Sequence, residues 1–184
     1  MPIPHFNHEG VLPPYVGPSP GGDPSSMSPY KVSAMEVVHH FASTPNRIEI
    51  LKGWIRHRQE LRALGFDRGF QWLDGSFLED KEPDDLDIAG FLYVKDRYDE
   101  AGFLRLMRDN PNVLSRAEIR AAFRLDFLPV DLAGTPESII DLSRYFLGLF
   151  SHRRGDIIWK GMLQVSLSAA DNDDAALNFL NQIG

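Results

Sequence analysis

The sequence contains no cysteine. That excludes disulfides, thiol catalysis and cysteine-ligated zinc or iron–sulfur centres. No stretch approaches the roughly 20 consecutive apolar residues that a membrane-spanning helix needs. The opening "MPIPHFNHEG" has neither a basic start nor an apolar run, so a secretory signal is not expected and a cytoplasmic protein is. Positive charge is in the minority: 19 Lys and Arg stand against 26 Asp and Glu, for a net charge of −7. Such a balance disfavours broad coating of duplex nucleic acid, which phosphate neutralisation drives, but it leaves room for a small basic pocket around one nucleotide. A Walker A sequence, a dinucleotide-binding fingerprint and HExxH are also absent. Ser76 lies in "LDGSF" without the G-x-S-x-G elbow of a hydrolase nucleophile.

What is present is an ordinary globular composition, 43% apolar and 24% charged, in a chain of 184 residues. That length is about one domain. Residues 1–30 hold eight of the 13 prolines. Proline fixes φ and removes a donor, so this segment is expected to be an irregular arm. Ile3, Phe6, Val11, Leu12 and Tyr15 can tack it onto the domain, and "GPSPGGDPSSMSP" (17–29) reads as a looser linker. A single domain then runs over 31–184.

Within it, residues 30–43 read as a short helix and 43–65 as a longer one, with Ser43 or Thr44 as cap and Pro45 in the first turn. Arg56, His57, Arg58 and Arg62 are expected on the solvated face of the longer helix. Strands are predicted over 69–75, 86–94, 123–132 and 156–167. Pro129 marks the third as an edge or a bulge. Helices are predicted over 97–110, 115–123, 135–150 and 171–184, that over 135–150 lying in the core. The sum is a mixed α/β or α+β domain, a small mixed sheet with helices packed on it. Trp54, Trp72 and Trp159 are read as core residues. The histidine pairs (His5 with His8, His39 with His40) lack a metal-ligand context.

Seven carboxylates fall between Asp74 and Asp87. Asp85 and Asp87, at i and i+2 on a strand, share a face. Two carboxylates side by side repel unless a cation sits between them, and magnesium or manganese suits such a pair when a substrate phosphate completes its shell. A third acid is offered by Asp126 or by Asp131, which strand parity puts on opposite faces. Gly75 lets backbone approach a ligand closely, and the Ser76 hydroxyl can reach a phosphate oxygen. The plain alternative is a hairpin whose solvated loop happens to be acidic. Glu79, Asp80 and Glu82 read as loop acids. In "SHRRGDIIWKG" (151–161), Arg153, Arg154 and Lys160 concentrate positive charge and suit a triphosphate, or else form a solvated turn with Lys160 paired to a nearby acid.

"LDGSF…DDLDIAGF" resembles the signature of the DNA polymerase beta-like nucleotidyltransferases. The resemblance implies attack of a hydroxyl on the α-phosphate of an NTP or dNTP with release of pyrophosphate. Gly75 and Ser76 would hold the triphosphate, Asp85 and Asp87 the magnesium, and Asp126 would complete the site and help to deprotonate the acceptor. The loop between Ser76 and Asp85, eight residues, is a little shorter than is usual there. More widely, "IPHFNHEGVLPPY", "SPYKVS", "RIEILKGWIRHRQELRALGF", "GFQWLDGSFLED" and "FSHRRGDIIWKG" resemble a group of small bacterial proteins related to that superfamily. Small bacterial members resemble components of toxin–antitoxin and phage-defence operons. The implied acceptor is a partner protein encoded nearby, an RNA end or a growing oligonucleotide, so nucleic acid enters only as acceptor. The alternative is an inactive nucleotidyltransferase fold serving as a protein-binding or antitoxin module, and a third reading is a metal-dependent phosphohydrolase.

Overall fold

A computed structural model describes residues 2–21, 23–94, 96–168 and 171–184; Gly22, within the expected linker, lies outside them. The described residues form a five-stranded mixed sheet with seven helices, the α+β architecture expected. The strands are β1 (Tyr30–Val32), β2 (Gly69–Asp74), β3 (Leu86–Leu92), β4 (Leu125–Asp131) and β5 (Leu163–Ser166), in the order β1-β5-β2-β3-β4. β2 runs antiparallel to both neighbours, whereas β1–β5 and β3–β4 are parallel pairs. The interior strand β3 is nearly continuously apolar after Asp87 and is buried there, as a strand covered on both faces must be. Pro129 falls on the edge strand β4 and is exposed, where its missing N–H removes nothing from the ladder.

The helices are α1 (Ala34–Phe41), α2 (Pro45–Ala63), α3 (Glu100–Asp109), α4 (Pro111–Leu114), α5 (Arg116–Phe123), α6 (Pro136–Phe150) and α7 (Asp173–Ile183). Side-chain caps fix several starts: Ser33 and Glu36 form a capping box on α1, and Thr44 caps α2 with Pro45 at its first position. No helix among the described residues is long and apolar enough to cross a membrane.

Four expectations need correction. Residues 30–43 are not one helix: Tyr30–Val32 alternates buried and exposed residues as a strand, and the Ser33 capping box begins the helix only at Ala34. The strand expected over 156–167 shrinks to Leu163–Ser166, because Arg153 to Ile158 closes a turn through a hydrogen bond from Arg153 N to the Ile158 carbonyl (3.0 Å). α6 is not in the core. Only Phe146 and Phe150, one turn apart, are buried, while Ile140 and Tyr145 are 66% and 56% exposed. Its sequence is mostly apolar, but only one stripe is buried.

The fourth correction concerns α2. His57 and Arg58 are fully buried and Arg47 nearly so, leaving Arg56 as the exposed member of the expected solvated face. α2 is wrapped by α1, α5 and α7, so it has little solvent face to offer. Arg58 donates from Nε to both oxygens of Asp173 (3.0 and 3.1 Å) and from its terminal nitrogens to Asp171, the Ser166 carbonyl and Gln71. A buried arginine is tolerable when paired and hydrogen-bonded in this way. Gly53 in mid-helix faces the Phe123 carbonyl at the end of α5, where any Cβ would collide with backbone.

The N-terminal arm is part of the fold. Val11 and Leu12 are fully buried and Ile3 nearly so. Leu12 N reaches the Leu78 carbonyl (3.3 Å) and its own carbonyl accepts from Gly161 N (2.7 Å). Trp54 and Trp72 are core residues as expected, but Trp159 is 42% exposed and packs beside Tyr15 of the arm.

Candidate functional site

Sheet register gathers the acids. Asp74 closes β2 opposite Asp87, and Asp87 pairs in turn with Asp126 of β4. In-register neighbours lie about 5 Å apart and project to the same face, so three carboxylates stand in one row across three strands. Asp85, two residues before Asp87, joins them on that face, and all four line one cleft of about 440 Å³. The sequence singled out Asp85, Asp87 and Asp126; Asp74 was passed over because its partner across the hairpin depends on register. Asp131 sits at the far end of β4, where its Oδ1 accepts from Val94 N (3.1 Å) and Ala133 N (3.0 Å). Of the two candidate third acids, Asp126 is therefore the one beside Asp87.

Gly75 and Ser76 open a short 3₁₀ turn directly after Asp74 and also line the cleft. Gly75 has φ +80°, and a Cβ there would run into the Asp87 carboxylate. No other residue fits both the backbone and the space.

Burial pushes the Asp87 carboxyl up to about 6, and the neighbouring charges of Asp85 and Asp126 add to the effect against Arg154 and Lys160. Burial likewise pushes Asp74 up to about 8, although Lys160 Nζ stands 3.2 Å from its Oδ1. Lys160 is itself buried. Besides Asp74 it hydrogen-bonds the Gly75 carbonyl (3.0 Å) and Glu79 Oε1 (3.1 Å). Lys160 thus braces the Gly75 turn from beneath, with its two hydrogen bonds and its ion pair with Asp74 all directed into the protein. Glu79 is not a loop acid but a buried partner of Lys160 and Lys81. Burial would raise its pKa, and the two lysines outweigh that and lower it.

Arg153 and Arg154, one residue apart, differ in the same sense. Arg153 is engaged by Asp156 and by the Glu9 carbonyl of the arm (2.8 Å). Arg154 is exposed at the cleft and makes no ion pair among the described residues. It is the free cation of the basic segment.

Two arginines that sequence reasoning did not place at the site come from α5. Arg116 grips both oxygens of Asp126 (2.5 and 2.6 Å), and Arg120 lies 2.8 Å from Asp85 Oδ2. Their spacing of i and i+4 was the available signal, since it sets both on one helix face. Among the described residues no three acidic or imidazole groups converge closely enough to hold a metal ion. The donor set is nonetheless the hard-oxygen type that magnesium takes, and the Asp87 carboxyl, raised chiefly by burial, also has the like charges of Asp85 and Asp126 beside it.

No curated protein matches this chain. Residues 4–166, from the buried arm through β5, match the family described as "Family of unknown function (DUF6932)". With nearly the whole sheet, the acidic row and the basic segment inside that match, the chain belongs to this family.

Proposed function

We propose that this chain is a magnesium-dependent nucleotidyltransferase that moves a nucleoside monophosphate from an NTP or dNTP onto an acceptor hydroxyl. The observation that carries the reading is the in-register row Asp74–Asp87–Asp126 with Asp85 beside it, at the lip of the Gly75-Ser76 turn. Asp85, Asp87 and Asp126 would hold the metal, which supplies charge neutralisation for the triphosphate and its departing pyrophosphate. Ser76 and Arg154 offer a hydroxyl and a guanidinium to phosphate oxygens. The ionised carboxylate of Asp126 or Asp87 can take the proton of the acceptor hydroxyl. Asp74, Glu79 and Lys160 form the buried base on which the turn rests. The polymerase beta-like signature around "LDGSF…DDLDIAGF" supports the same reading, and the acceptor would be supplied by a separate partner, whether a protein in a defence or toxin–antitoxin setting or a nucleic-acid end.

One observation favours a second reading, an inactive fold that serves as a protein-binding or antitoxin module. Asp85 and Asp126 both face arginines, and no three-carboxylate cage is formed among the described residues.

The test is incubation of the protein with each α-labelled ribo- and deoxynucleoside triphosphate and magnesium or manganese. The D85A/D87A double variant is the control. Label moving into protein, an oligomer or a new small product, and absent in the variant, is the expected result. Absence of both turnover and nucleotide binding would leave the binding module.

A further inference from the structure

The α5 arginines hold the acids in a manner that suits exchange. The side chains of Arg116 and Arg120 are 58% and 60% exposed, whereas those of Asp126 and Asp85 are 13% and 15% exposed. The acids are thus set in the cleft wall and the arginines lean in from solvent. Only the acid of each pair is set into the protein, so the guanidinium can swing back into solvent without a buried cation being stranded. A guanidinium and a divalent cation compete for the same carboxylate oxygens, and a guanidinium displaced from a carboxylate keeps its fork for a phosphate. Arg120 already lines the cleft, as does Arg154.

Building on the nucleotidyltransferase reading, we infer that Arg116 and Arg120 are a two-armed latch. They neutralise Asp126 and Asp85 while the site is empty and turn to the phosphates of the incoming triphosphate when a divalent cation takes those carboxylates. The latch gives binding an order, in which neither cation nor triphosphate engages fully without the other. It also accounts for acids aligned by register that form no cage by themselves.

The two roles have opposite signs, which makes them testable by binding alone. Mn²⁺ affinity is titrated by the electron paramagnetic resonance signal of the free ion. Inorganic triphosphate affinity is measured by calorimetry at saturating Mn²⁺. Arg116→Gln and Arg120→Gln are compared with the wild type and with Arg108→Gln, a control for lost charge on α3, where Arg108 pairs only with neighbouring Asp109 among the described residues. Each latch variant should bind Mn²⁺ about two- to fivefold tighter than the control. Each should bind triphosphate about tenfold more weakly or worse. Arg116→Lys and Arg120→Lys, which keep the charge but lose the fork, should shift both affinities in the same directions by less. Any pattern other than these opposite shifts overturns the latch and leaves the nucleotidyltransferase reading standing. A wild type that binds neither Mn²⁺ nor triphosphate overturns both.

Discussion

Asp87 sits between two in-register carboxylates, and burial above all, with the charges of Asp85 and Asp126 adding to it, raises its pKa to about 6. The usual value is 3.8. Because the folded value lies above the unfolded one, the ionised form destabilises the fold. The penalty is absent below about pH 4, grows as pH rises and levels off above about 6. At pH 8 it amounts to about 3 kcal/mol before any lost polar contact is counted. Asp87→Asn should therefore stabilise the metal-free protein by about 1–2 kcal/mol at pH 8 in urea denaturation and, once the penalty is gone near pH 4, destabilise it by about 1–2 kcal/mol through the lost contacts, while abolishing transfer activity. A difference between variant and wild type that does not change with pH would show that the Asp87 carboxylate carries no such penalty. His57 titrates in the opposite sense. It is fully buried, its Nε2 lies 2.9 Å from the Val113 carbonyl and its ring sits edge-on to Phe127. Burial pushes it down to about 4. A histidine lowered below its unfolded value stabilises nothing by charging, so stability is intact above about 6.5 and falls as pH drops towards 4. Between pH 7.5 and pH 5 the loss should be about 2 kcal/mol. His57→Gln should be less stable at pH 7.5 but have a flatter acid limb; parallel profiles would sink the assignment.

At the scale of elements, what was legible in the sequence is what depends on neighbours along the chain. The caps at Thr44 and Thr135, the Gly75 turn, the Asp85/Asp87 face and the edge role of Pro129 all follow from local chemistry. What was not legible depends on which elements pack together. The arginines of α2 look solvent-facing in a list of charges, yet their partners Asp171 and Asp173 lie more than a hundred residues downstream. Asp74 and the α5 arginines were missed for the same reason, since a strand register and a helix docking bring them to the cleft. α6 shows the converse, an apolar helix that reads as core but finds only one stripe of partners. The α2–α7 contact supplies a direct test. Arg58→Met keeps the packed stem but leaves Asp171 and Asp173 with only Arg62 as a nearby cation. It should cost about 3–5 kcal/mol. Adding Asp173→Asn should recover part of that loss, because the buried charge is then gone; a double variant as unstable as the sum of the two single changes would show that they act independently.

At the scale of the whole molecule, the N-terminal arm binds the two walls of the cleft together. Gly10 and Leu12 hydrogen-bond the acidic loop at Asp80 and Leu78, while Glu9 and Leu12 do the same for the basic segment at Arg153 and Gly161. The hairpin that bears the acids and the segment that bears Arg154 have no covalent reason to face each other, and the arm adds a link to the one that Lys160 makes. It follows that Ile3, Val11 and Leu12 belong to the core, although composition separates the arm from the domain. Leu12→Ala should cost about 2–5 kcal/mol, as much as truncating a strand leucine such as Leu73, because both are fully buried. The exposed stretch 17–21 is by contrast the place for a protease to cut. After limited proteolysis there, the arm should stay bound and co-elute with the remainder in gel filtration under native conditions, separating only in denaturant. An arm that dissociates on cutting would mean that its buried leucine and valine contribute less than the entropy of holding it, and that the cleft walls are aligned by the sheet and Lys160.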